Sequence, residues 1–106
     1  MSKSKGELVS VKIIPSEQGS PAGKLADAEV VFEAEASPLS GMKLVGFAVW
    51  ERRDGGRNVT FPARQYSVNG VRRSFVFLRP TSREQGTEDA IRTCILEAYS
   101  RLEAQS

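Results

Sequence analysis

LVGFAVWERRDGGRNVTFPARQYSVNGVRRSFVFL, residues 44–78, reads as three strands joined by two hairpin turns. Asn69-Gly70 is the stronger turn, because both residues tolerate the positive φ that a type I′ turn demands. Asp54-Gly55-Gly56 is the other. The expected strands run over Leu44 to Trp50, from about Arg57 to Tyr66, and from Val71 to Leu78, forming an antiparallel meander. In the first of them Val45, Phe47 and Val49 on one side are matched by Leu44, Ala48 and Trp50 on the other, so it wants cover on both faces.

Upstream, Val9, Val11 and Ile13 alternate with Ser10 and Lys12 as in a half-buried strand that Pro15 ends. The cleanest alternation follows a loop at Pro15–Gly23: Ala26, Ala28, Val30, Phe32 and Ala34 point one way, Asp27, Glu29, Glu33 and Glu35 the other. Ser37-Pro38-Leu39-Ser40-Gly41 is a second loop. Downstream, Thr87 can cap a helix whose Ile91, Cys94, Ile95, Ala98 and Leu102 form one stripe, with Glu88 and Asp89 at its positive end. A start at Ser82 with Gln85 is the alternative, weakened by Gly86. The expectation is an α+β domain over residues 7–104, with a frayed polar tail at 1–6. It has a single antiparallel sheet of about five strands, and one C-terminal helix of about 17 residues, about 25 Å long, on one face. Such a helix covers one face only. The two-sided strand therefore predicts a homodimer, with Leu44, Phe47, Val49 and Trp50 at the interface.

Charge is segregated along the 106 residues. Between Arg52 and Arg83 stand eight arginines against the single acid Asp54, a net +7 within a chain whose total is +2. A segment so polarised favours a polyanion. Guanidinium adds planar, two-pronged hydrogen bonding to phosphate or guanine. Arginines also serve as ordinary solvated strand residues that discourage edge aggregation. If the Asn69-Gly70 hairpin is tight, Arg64, Gln65 and Tyr66 lie beside Arg72 and Arg73, and Arg52, Arg53 and Arg57 sit around the other turn. The expected nucleic-acid contacts are these eight residues, with arginine on phosphates, Gln65 suited to adenine, and Tyr66 either a stacking ring or a plain cross-strand aromatic. Phe75, Phe77 and Trp50 read as core, since each sits in an apolar run.

Other chemistries find little footing. The chain has no histidine and one cysteine, Cys94, which suits a small core position and a reducing cytoplasm. Phosphate-loop, dinucleotide and serine-nucleophile motifs do not occur. Glu33 with Glu35, and Glu88 with Asp89, are carboxylate pairs that a polar strand face and a helix first turn already explain. No catalytic or metal residue, no cofactor, no small-molecule substrate and no membrane association are expected.

The string Lys43 to Gly56, Val59-Thr-Phe-Pro-Ala-Arg64, the Asn69-Gly70 turn, Arg79-Pro80 and the helix end Ile95 to Leu102 together resemble the SpoVG family of bacterial septation and sporulation regulators. The resemblance spans roughly residues 8–103. It implies a small dimeric α+β domain that binds DNA, and in some members RNA, as a regulator. Family binding positions correspond to Arg64 and Gln65 after Pro62, and to Arg72 and Arg73 after Gly70. Gln65 stands where the family typically has a second basic residue, and the loops at Pro15–Gly23 and Ser37–Gly41 look like insertions. Fold and nucleic-acid binding carry over; a target sequence or a sporulation role does not. The alternative is a non-catalytic adaptor whose basic surface binds an acidic protein partner.

Overall fold

The computed structural model describes residues 9–17, 21–82 and 87–105. The expected tail at 1–6, together with Arg83, Gln85 and Gly86, lies outside them. The described chain is an α+β fold of six strands and one helix: β1 Val9–Pro15, β2 Lys24–Phe32, β3 Lys43–Glu51, β4 Arg57–Thr60, β5 Ala63–Val68, β6 Val71–Val76 and α1 Thr87–Gln105. All strand pairings are antiparallel. α1 is not long and apolar enough to cross a membrane.

The strands form two sheets rather than one. β1-β2-β3-β4 makes a four-stranded sheet, and β5-β6 a separate ribbon. The strand expected from Arg57 to Tyr66 breaks at Phe61-Pro62, where proline has no N–H to give a ladder. Pro62 is buried instead, and its carbonyl accepts the Phe77 N–H at 2.9 Å, which clamps the base of the ribbon. Asn69 and Gly70 have φ of 51° and 78°, as the type I′ turn requires, with Val68 opposite Val71.

The core lies between the four-stranded sheet and α1. Ala26, Ala28 and Val30 of β2 are buried as their alternation implied, together with Phe47, Val49, Val59 and Ile95. Ile91, Leu96 and Tyr99 of the helix pack on this cluster, as do Val9, Val11 and Ile13 of β1. Phe47 meets Phe61 edge-on at 5.2 Å.

The side expected for Leu44 in β3 is corrected by a bulge, while Ala48 and Trp50 stay opposite Phe47 and Val49 as expected. Pairing with β2 shifts register so that Ala28 opposes Phe47 and Val30 opposes Leu44. The extra residue reverses the side-chain parity, which puts Leu44 on the core side with Phe47 and Val49 and leaves Val45 50 % exposed. Phe47 and Val49 are fully buried within the monomer and offer a partner nothing. Trp50 is half-buried and donates its indole N–H to Thr60 Oγ1 at 2.8 Å. The sheet face away from the helix mixes polar and apolar groups: the Lys43–Glu29 pair at 3.0 Å and the Lys24–Asp27 pair at 2.7 Å share it with Ile14, Val31, Ala48 and Trp50. Phe47 and Val49 are therefore withdrawn from the expected interface, while Leu44 and Trp50 stay partly exposed in the monomer.

Gly46 holds this bulge. Its φ is 106°, and a Cβ built on it would stand 2.9 Å from the Pro62 Cβ. Gly46→Ala is expected to cost about 1–3 kcal/mol, because the backbone is strained for an L side chain and Pro62 must move. Chemical denaturation checks this; a change within about 0.5 kcal/mol, as for an ordinary surface site, would remove the constraint assigned to the glycine.

Candidate nucleic-acid interface

The eight residues expected to contact nucleic acid divide into three groups. Arg52 and Asp54 pair at 2.9 Å within the β3-β4 turn, and the Gly56 N–H donates to Asp54 Oδ1 at 2.8 Å. That backbone hydrogen bond first, and the Arg52 guanidinium second, hold the Asp54 carboxyl below its ordinary range. Arg57 pairs with Glu103 at 2.7 Å, and its guanidinium lies 5.0 Å from the centre of the Tyr99 ring. It fastens β4 to α1. Arg57 is thus held by Glu103 and Tyr99 in the fold, whereas the Arg52–Asp54 pair is a solvent-exposed surface contact that leaves Arg52 within reach of a ligand. Arg53, in the same turn, is exposed.

The second and third groups are the two faces of the β5-β6 ribbon. Register places Arg64 opposite Phe75, Gln65 opposite Ser74, Tyr66 opposite Arg73 and Ser67 opposite Arg72. Side chains alternate across a strand, so Arg64, Tyr66, Arg73 and Phe75 share one face, and Gln65, Ser67, Arg72 and Ser74 the other. Gln65 Nε2 donates to Ser74 Oγ at 3.3 Å on that second face. The expected cluster of Arg64, Gln65, Tyr66, Arg72 and Arg73 is thus split. A tight hairpin does bring the two strand ends together, but the adjacent residues in each dipeptide point to opposite sides.

Three residues join the first face that were not expected there. Phe75 and Phe77 are 45 % and 56 % exposed, with ring centres 6.2 Å apart, and the Arg79 guanidinium stands 4.4 Å over the Phe75 ring. Arg64, Tyr66, Phe75 and Phe77 line a shallow concavity of about 360 Å³. The signal was present in the sequence as period two: Arg73, Phe75, Phe77 and Arg79 occupy alternate positions. Their apolar neighbours Val76 and Leu78, half-buried on the other side, made the run look like core.

The ribbon stands off the body. β5 and β6 pack mainly on each other. The molecule measures 52 × 36 × 26 Å with a radius of gyration of 15.4 Å, against about 13 Å for a compact chain of 100 residues. Arg64, Arg72 and Arg73 are exposed and form no ion pair among the described residues. Their charge is therefore directed at solvent rather than spent on the fold. Comparison with protein families, with curated proteins and with solved structures finds no match.

Proposed function

We propose that this chain is a nucleic-acid-binding regulatory protein that works as a homodimer and docks on phosphates through the arginines of the β5-β6 ribbon. The observation that carries the proposal is the exposure of Arg64, Arg72 and Arg73 on a projecting ribbon, with no carboxylate paired to them among the described residues. A field of that kind attracts a polyanion and aligns it before any specific contact forms. The resemblance to SpoVG proteins in the 43–56 and 59–64 segments supports the same reading, as do Arg72 and Arg73 after the Asn69-Gly70 turn. Catalysis, metals and cofactors have no part in it. The single cysteine is consistent with action in a reducing cytoplasm.

Salt titration tests the proposal. With about four phosphates contacted per subunit, log affinity falls against log salt with a slope of about −3.6 on duplex DNA and about −2.8 on a single strand. Affinity indifferent to salt would end the proposal.

Dimerisation rests on a different surface from the one expected. A two-stranded ribbon is marginally stable by itself, and each of its strands keeps an open edge. Edge pairing between two copies gives those backbone groups partners and leaves both ribbon faces open to a ligand. The expected solution mass is about twice 11.6 kDa. Light scattering that returns the monomer mass at micromolar concentration would remove the dimer from the proposal.

A further inference from the structure

The two ribbon faces suit different forms of nucleic acid. The face bearing Gln65, Ser67, Arg72 and Ser74 carries amide, hydroxyl and guanidinium groups, which read base edges in a groove. The opposite face is unlike it. There Tyr66, Phe75 and Phe77 present rings 38 %, 45 % and 56 % exposed, interleaved with Arg64, Arg73 and Arg79.

Rings on a flat ribbon have nothing to stack on in a duplex, because paired bases are already stacked on each other and show only their edges. Unpaired bases offer free π-faces. Interleaved arginines then meet the phosphates that connect them.

We infer that the face formed by Arg64, Tyr66, Arg73, Phe75, Phe77 and Arg79 binds a single-stranded nucleic acid by stacking unpaired bases on its aromatic rings. This rests on the nucleic-acid reading above and names the form of the ligand. Spacing fits the task. Arg64 opposes Phe75 and Tyr66 opposes Arg73, so two of the three rings have a cation directly across the ribbon, while Phe77 extends the face past Phe75. The Arg79 guanidinium, 4.4 Å from the Phe75 ring centre, backs that ring and is itself a plane on which a base can lie.

A second copy of the chain is the competing occupant of so apolar a face. Charge argues against it: two such faces laid together would oppose six guanidiniums, and no carboxylate stands among the ribbon residues 63–76 of either face. Like charges brought together in an interface are destabilising. A strand of phosphates neutralises the same charges.

The test titrates labelled 12-nucleotide single strands of mixed sequence, one DNA and one RNA, and the matching DNA duplex. It uses the wild-type protein, Phe75→Leu/Phe77→Leu and Phe75→Tyr/Phe77→Tyr. Wild-type protein is expected to favour the single strands. The leucine variant is expected to lose about 5- to 150-fold of single-strand affinity for each stacked base given up, with duplex affinity little changed, and the tyrosine variant to keep its affinity. Circular dichroism and solution mass accompany each variant. Equal loss on duplex and single strand, or none on either, overturns the stacking assignment while leaving phosphate docking intact. Failure of wild-type protein to bind any of the probes overturns both. A leucine variant that becomes monomeric yet binds single strands as wild type does would reassign the face to self-association.

Discussion

Phe47→Ala is expected to destabilise the protein by about 3–5 kcal/mol, the largest effect of any single truncation in the core. Phe47 is fully buried and heads the fully enclosed side chains by volume, ahead of Ile95 and Val49. It touches the edge of Phe61 and belongs to the cluster that holds Ala26, Ala28, Val59 and Ile95. Truncation removes the transfer free energy of the ring and leaves a cavity. The alanines of β2 have no side chains long enough to fill it, and the bulge at Gly46 fixes the strand that carries it. In a domain of this size the loss is a large share of about 5–15 kcal/mol in total. Urea denaturation measures it as a fall in midpoint at unchanged slope. Phe77→Ala supplies the contrast, since a ring 56 % exposed should cost well under half as much. Equal losses at the two positions would mean that the ribbon aromatics are core after all.

Arg64→Ala/Arg73→Ala is expected to weaken nucleic-acid binding by about 100-fold or more at low salt, taking each charge-assisted hydrogen bond as about 1.5–3 kcal/mol. The salt slope should flatten by about 1.8 on duplex and about 1.4 on single strands, one phosphate contact for each guanidinium removed. Both side chains are exposed and unpaired among the described residues, so the thermal transition should stay where it is. Arg57→Ala is the opposite case. Its loss removes the 2.7 Å pair with Glu103 and the contact with Tyr99, and should lower the melting temperature with little effect on binding. A double variant that melts early, with binding lost only through unfolding, would assign Arg64 and Arg73 to structure and withdraw the ribbon as a docking surface.

Much of the architecture was legible because it is written over short distances. The alternation at Ala26, Ala28 and Val30 needed only strand geometry, and Asn69-Gly70 needed only the sterics of positive φ. The stripe through Ile91, Ile95 and Ala98 needed only helical periodicity. The errors share a cause. At Gly46 one extra residue reversed which side of β3 faces the helix, so Leu44 joined the core and Val45 left it. At Pro62 a strand that looked continuous was cut, which turned one sheet into two. Phe75 and Phe77 then lost the cover that a single sheet would have given them.

The candidate site followed the same pattern. That arginines concentrate between residues 52 and 83 is a property of composition, visible without coordinates. Which of them are free is not, because Arg57 is claimed by Glu103, 46 positions away, while Arg64 meets no acid at all among the described residues.

The positions of β1, β2 and β3, the two hairpin turns, the terminal helix and the segregation of charge were determined by the sequence itself, since each depends on the backbone preferences and side-chain period of neighbouring residues. The tertiary structure alone decided which arginines are neutralised, which ring faces water and where the sheet divides. Those outcomes depend on segments far apart in the chain meeting at a bulge, a buried proline and an ion pair.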